Sequence, residues 1–299
     1  MKKREFLSSL PFAAAAAVPL VAAPLAAVPT PAMAEVSGKS TWDRIQSTKV
    51  LRVGAAILEP WYFKDTTDSS APGKVMIDGV AWRGICPAIA QETAKAMGVK
   101  LQMVETTWGN AVAGLQADQF DAMFMLDATP QRAMSIDFVQ TPMLWYPLGI
   151  VAKESISIKN WTDLNDPKYK LAVALGTNSD EYISDVAPKA TISRFQSFGE
   201  VFAAFQSGRT DAAVVSAIAS DLARARLKTA KTIVPKPTFG IPGAIAVRKE
   251  ADQRWSNFLN VVASYYYNSG KTQRFYEQFL TFRGVDPKTA VPVQRELWT

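Results

Sequence analysis

The stretch Leu115-Gln116-Ala117-Asp118-Gln119-Phe120-Asp121-Ala122 returns later in the chain as Phe205-Gln206-Ser207-Gly208-Arg209-Thr210-Asp211-Ala212. In both copies an apolar residue and Gln are followed by four residues and then Asp-Ala. An apolar run comes next each time, Met123 to Leu126 and Ala213 to Val215. Each copy reads as a helix end, a polar turn and an inward-pointing strand, a unit that suits the edge of a parallel α/β sheet. Two copies about one domain apart predict two lobes of similar build with a cleft between them. Behind the first copy come Asp127-Ala128-Thr129-Pro130-Gln131-Arg132 and then Ile136-Asp137-Phe138, which place charged residues where that strand ends.

Composition limits the chemistry. The 299 residues suffice for one large domain or two modest ones with a sizeable core. With 48% hydrophobic and 20% charged residues the chain reads as globular. It has no histidine, which removes Ser-His-Asp triads, Cys-His dyads and every His-bearing metal site. Neither a metal nor another cofactor is expected. The single cysteine, Cys86, permits no internal disulfide and reads as a structural thiol. The formal charge of +6 is mild. Arg224, Arg226, Lys228 and Lys231 form a loose basic cluster that a solvated helix face explains better than a nucleic-acid stripe.

The beginning of the chain reads as an export signal. Lys2-Lys3-Arg4 precedes an apolar, alanine-rich run from Leu10 to Val28, and Ala32-Met33-Ala34 forms an A-x-A cleavage site. Pro11, Pro19 and Pro24 interrupt the apolar run, which favours cleavage after Ala34 over a membrane anchor. No cysteine stands near that site, which argues against a lipoprotein. Lys3-Arg4-Glu5-Phe6-Leu7 resembles a twin-arginine signal with Lys in the first basic position. The expected location of the mature protein is the periplasm.

Strands are predicted at Lys49 to Ala55, Val99 to Val104, Ala122 to Leu126, Leu148 to Ala152, Lys170 to Ala174, Ile192 to Phe195, Ala212 to Val215 and Ala244 to Arg248. Helices are predicted from Gly84 to Gly98, Asn110 to Gln116, from about Asp180, and over Phe198 to Gln206 and Ile218 to Leu227. A short helix begins at Trp161, and two helices, Asp252 to Asn268 and Lys271 to Phe282, close the fold. Asp65 to Gly79 reads as a surface hairpin or loop, and Gly284 to Thr299 as a weakly structured tail. Alternating strands and helices mean an α/β fold, whose ligands sit at the carboxyl ends of strands. Candidate residues are therefore those that follow strands: Glu59 and Trp61, Trp108, Asp127 to Arg132, Thr177 and Asn178, and Ser216.

Leu51-Arg52-Val53-Gly54, Gly84-Ile85 opening a helix, Trp108-Gly109-Asn110 before Leu115-Gln116, Asp121-Ala122, Thr129-Pro130-Gln131-Arg132, Asp137-Phe138 and Gly208-Arg209-Thr210-Asp211-Ala212 fall in one ordered set. From about Lys49 to Phe282 the chain resembles the extracellular solute-binding proteins of polar amino-acid ABC importers. That resemblance implies a two-lobed periplasmic-binding-protein fold, two α/β sheets joined by a two-stranded hinge. Lobe one would comprise residues 35–141 and 239–299, and lobe two residues 142–238. It further implies a small amino acid or related carboxylate captured in the interlobe cleft by hinge closure, a membrane permease as partner, no nucleic acid, and a monomer.

Arg132 matches the family's carboxylate-clamping arginine, and its planar fork suits two parallel hydrogen bonds to a carboxylate. On the residues alone, an arginine in an ion pair at a helix start is an equal reading. Thr177 and Asn178 precede a helix and offer the carboxylate a hydroxyl and amides; an ordinary helix cap is the plain alternative. Trp61 and Trp108 are candidate aromatic walls or core, and Glu59 is a loop carboxylate that can face the cleft. The sequence also departs from the family pattern. Ser216 stands where relatives that bind α-amino acids often carry an aspartate, Leu58 where a tyrosine is common, and Cys86 where an acidic residue is frequent. Asp127 is the candidate replacement for the missing negative charge.

Two rival functions share this frame. Some periplasmic dehydratases of similar fold act on cyclic carboxylates, and Asp127 or Glu59 would be the acid or base of such an enzyme. A ligand sensor for a membrane partner is the other.

Overall fold

The computed structural model describes residues 40–67, 69–227 and 230–298. The expected export signal lies outside the described residues. The chain opens with α1 (Thr41–Thr48), whose start is capped by the Ser40 hydroxyl, and β1 (Val50–Ala55). Strands β2 (Phe63–Lys64), β3 (Val75–Ile77) and β4 (Val80–Arg83) form a small antiparallel sheet, so the polar stretch after Asp65 is a hairpin. Next come α2 (Ile85–Met97), β5 (Lys100–Glu105), α3 (Ala111–Gln116) and β6 (Ala122–Phe124). The one-turn α4 (Pro130–Ala133) and β7 (Ile136–Phe138) follow. The long β8 (Leu144–Lys153) leads into the second half. That half holds β9 (Lys170–Ala174), α5 (Asn178–Val186), β10 (Thr191–Phe195) and α6 (Phe198–Gln206). It continues with β11 (Ala212–Ser216), α7 (Ala217–Arg226) and β12 (Ala230–Ile233). The chain then returns through β13 (Gly240–Gly243) to β14 (Ile245–Arg248), α8 (Arg254–Asn268) and α9 (Lys271–Phe282).

Two sheets result, in the orders β5-β1-β6-β14-β7 and β10-β9-β11-β8-β12. Each is the centre of one lobe. Strand β8 belongs to the second sheet over most of its length, but its first residues pair with β13, Leu144 opposite Gly243 and Pro147 opposite Gly240. These two antiparallel strands are the connection between the lobes. A Cβ at Gly243 would meet the Met125 sulfur at 2.5 Å and Leu144 at 3.0 Å, so a larger residue at that crossing requires these side chains to shift.

The internal repeat is a structural device used once per lobe. Helices α3 and α6 end at its two glutamines. The next turn needs a left-handed residue, supplied by Asp118 (φ 57) and Gly208 (φ 77). The Asp shared by the two copies then clasps a neighbouring strand. The Asp121 amide donates to the Arg52 carbonyl at 2.9 Å, and its carboxylate accepts the Arg52 amide at 2.7 Å. Asp211 does the same with Lys170, at 2.7 and 3.0 Å. Each strand that follows pairs parallel on one side, β6 with β1 and β11 with β9, and antiparallel on the other.

Several expectations shift. The strand expected through Leu126 stops at Phe124, because Met125 takes φ 64 and turns the backbone toward the cleft. The helix expected from Asp180 starts at Asn178, since the Thr177 hydroxyl accepts the Asp180 amide and sets the cap earlier. The tail after Gly284 is more ordered than its prolines suggest. Val293 is buried, accepts from the Trp145 amide at 2.9 Å and donates its own amide to Gln273. Cys86 is buried in lobe one, as a structural thiol would be.

Candidate functional site

The loops after β1 and β6, strand β8, the start of α5 and the end of β11 converge on one cavity between the two sheets. It offers about 40 Å³, room for a few water molecules. A ligand larger than that enters as the walls part.

Thr129 caps α4, with Pro130 in the first turn, and this fixes Arg132 at the cavity, 8% exposed. Its Nη1 donates to the Asp127 carbonyl at 2.6 Å and its Nη2 to the Gly176 carbonyl at 2.7 Å. Asp127 follows β6 in one lobe and Gly176 follows β9 in the other, so the guanidinium bridges the cleft. Glu181 is 3.7 Å away. A guanidinium has five N–H donors, so the fork retains donors for a ligand carboxylate.

Asp127 is 9% exposed. Its Oδ2 accepts from the Tyr146 hydroxyl at 2.7 Å, whereas its Oδ1 is buried with no hydrogen-bond partner. Burial pushes the carboxyl up to about 6, against the Tyr146 hydrogen bond and the Arg132 charge, which pull it down. Asn178 lies near enough to favour the ionised form without reaching hydrogen-bond geometry to Oδ1. A buried acceptor left open is costly unless a donor arrives.

On the opposite wall, the Thr177 hydroxyl accepts from the Asp180 amide and donates to the Ala174 carbonyl at 2.8 Å. Its one proton is thus committed, and the cap reading of Thr177 describes its hydroxyl. Glu181 donates its amide to the Thr177 carbonyl, so the amides of Asn178 and Ser179 are the first-turn donors left at the cavity. Ser216 lines the cavity, but its hydroxyl is the cap of α7, accepting from the Ala219 amide at 3.0 Å.

Trp61 and Trp108 are both buried core residues and cavity walls, so the two readings of them coincide. The Trp61 ring packs against Tyr146 at 5.5 Å, and the Trp108 indole N–H is buried without an acceptor. Glu59 is placed elsewhere. It is outside this cavity, held by Arg283 at 2.7 Å and by Arg226 at 2.6 Å. Its charge is already paired across the two lobes, and it lines the adjoining space between them rather than this cavity. Tyr146, Ser179 and Phe198 line the cavity and were not anticipated. Tyr146 sits on the crossing strand, where no local pattern reveals which side faces the cleft. Among the described residues, no group of three or more Cys, Asp and Glu side chains is placed to hold a metal ion.

The sequence model of the bacterial extracellular solute-binding proteins, family 3, matches residues 65–282. A solved structure of the ancestral amino acid-binding protein AncCDT-1, a precursor of cyclohexadienyl dehydratase, is 30% identical with a TM-score of 0.69, covering 80% of this chain and 99% of that one. A probable amino-acid ABC transporter-binding protein of Haemophilus influenzae is 31% identical over 129 residues, 42% of this chain and 45% of that protein. The ABC transporter glutamine-binding protein GlnH of Bacillus subtilis is 28% identical over 158 residues, 50% of this chain and 54% of that protein. The matched stretches span about half the length of these two curated relatives.

Proposed function

The chain belongs to the bacterial extracellular solute-binding proteins of family 3, and we propose that it captures a small amino acid or related carboxylate for the membrane permease of an ABC importer. One observation carries the reading. A guanidinium with free donors and a carboxylate with an open oxygen meet in a single buried cavity between two lobes. The ligand carboxylate takes the fork of Arg132 and the amides of Asn178 and Ser179. The ligand ammonium takes the open Oδ1 of Asp127, which supplies the charge that Ser216 lacks. Trp61 and Trp108 close the sides.

The proposed lobes are residues 35–141 with 239–299, and 142–238, moving about the paired β8 and β13. A thermal-shift screen of amino acids and small carboxylates tests the capture. A ligand present at about 100 times its dissociation constant is expected to stabilise the fold by about 2.7 kcal/mol. No stabilisation by any amino acid or carboxylate contradicts the proposal. We further propose cleavage after Ala34 and a soluble periplasmic monomer, which N-terminal sequencing and light scattering of the periplasmic protein check. Among the described residues no helix is long and apolar enough to cross a membrane.

The Asp127 carboxyl at about 6 makes binding pH-dependent. Only the ionised form pairs with an ammonium, so a proton competes with an amino-acid ligand. Affinity is expected to be level above about pH 7 and to fall about tenfold per unit well below pH 6. In the free protein the sign is opposite to that of a salt-bridged carboxylate. The folded state keeps a proton that the unfolded chain releases near pH 4, so stability falls as pH rises from about 4 to about 6. Calorimetry across pH 5 to 8 checks both, and a flat affinity profile contradicts the role of Asp127.

A dehydratase-like enzyme is the second reading. It draws on the likeness to AncCDT-1 and on the near-neutral titration of Asp127, which suits a general acid. Turnover of cyclic carboxylates by the purified protein, abolished by Asp127→Asn, would establish it.

A further inference from the structure

The polar cavity is small, and a larger, partly open chamber lies beside it. That chamber offers about 440 Å³. Leu58 from lobe one and Phe198 from lobe two line both spaces, so these two side chains form the partition between them. Beyond the partition the walls are Phe63 on one lobe and Phe202, Leu222 and Ala223 on the other. The polar side chains at its rim are Glu59, Gln206 and Arg226, and Glu59 already accepts from Arg226 of lobe two and Arg283 of lobe one. A cationic side chain reaching that rim would meet two guanidiniums around one carboxylate. An apolar side chain would meet carbon, and would displace water from a surface that gains by drying.

We propose that this chamber receives the side chain of the ligand held at Arg132 and Asp127, and that the ligand is an amino acid with a large apolar or aromatic side chain. The inference rests on the cleft-capture reading above and adds its specificity. Parting of Leu58 and Phe198 admits the side chain, and closure then covers it with the apolar walls. In a matching apolar pocket a single methylene is worth about 10-fold or more in discrimination.

Titration calorimetry with L-phenylalanine, L-leucine, L-alanine, L-glutamine and L-arginine tests it. Phenylalanine and leucine are expected to bind at least tenfold more tightly than the other three. Ala223→Trp fills the chamber and is expected to lower the phenylalanine-to-alanine affinity ratio at least tenfold, at an unfolding midpoint near that of wild type. If the variant fails to fold, the wild-type series decides alone. Tighter binding of arginine or glutamine than of phenylalanine and leucine overturns the chamber assignment and leaves cleft capture standing. An unchanged affinity ratio in folded Ala223→Trp also overturns it. Failure of all five amino acids to bind overturns the chamber assignment, and cleft capture is then decided by the wider thermal-shift screen.

Discussion

Arg132→Ala is expected to weaken binding of a carboxylate ligand by about 2–5 kcal/mol, because truncation leaves the buried ligand charge without its counter-charge. The loss has a second source. The same guanidinium ties the Asp127 carbonyl of one lobe to the Gly176 carbonyl of the other, so its removal also loosens the closed cleft. Arg132→Lys keeps the charge but not the fork and should recover only part of the affinity. Calorimetry on both variants, with folding checked by circular dichroism, measures the difference. Affinity within a factor of two of wild type in folded Arg132→Ala would refute the assigned role.

Asp65→Ala is expected to cost about 3–5 kcal/mol of folding stability without touching the cleft, because it strands a buried arginine charge. Arg83 is 1% exposed, and its Nε meets the Asp65 carboxylate at 2.6 Å. The remaining guanidinium donors hold the carbonyls of Ser69, Ala71 and Pro72, with the Phe282 ring 4.2 Å from its carbon. One ion pair thus folds the loop before β3 onto α9. Burial alone would raise the Asp65 carboxyl, yet hydrogen bonds from Thr67 and Arg83 hold it down at about 2. A depressed carboxylate stabilises the fold above its unfolded value near 4. That contribution is lost as pH falls toward 2. Urea unfolding at pH 7 checks the magnitude, and a loss below about 1 kcal/mol would contradict the account.

What the sequence revealed depended on the range of the interactions involved. Helices α6 and α9 match their expected bounds because caps and helical spacing are local signals. The repeat was legible for the same reason, since a left-handed turn and an Asp clasp lie within a few residues of each other. The resemblance placed a crossing near residue 239, but local pattern did not mark β13 as a strand: with Gly240, Pro242 and Gly243, only its pairing with β8 makes it one. The ion pairs that hold Glu59 were not legible, because its partners Arg226 and Arg283 are 167 and 224 residues away. Of the site, Arg132 and Asp127 were recognisable beside a Thr-Pro turn. Tyr146, which orients Asp127, depends on how the crossing strand is rotated, and the second chamber depends on how α6 and α7 face the loop after β1. Neither is a property of any short stretch.

The central claim is that Asp127 and Arg132 divide the two charged groups of an amino acid between them. Its most direct test is calorimetry of wild type and Asp127→Asn, each with the best-bound amino acid and with the deaminated analogue of that ligand. Wild type is expected to prefer the amino acid. Asp127→Asn is expected to lose at least tenfold in affinity for it, with the analogue binding both proteins about equally. Equal weakening of both ligands in Asp127→Asn, or a wild type that prefers the deaminated analogue, would contradict it.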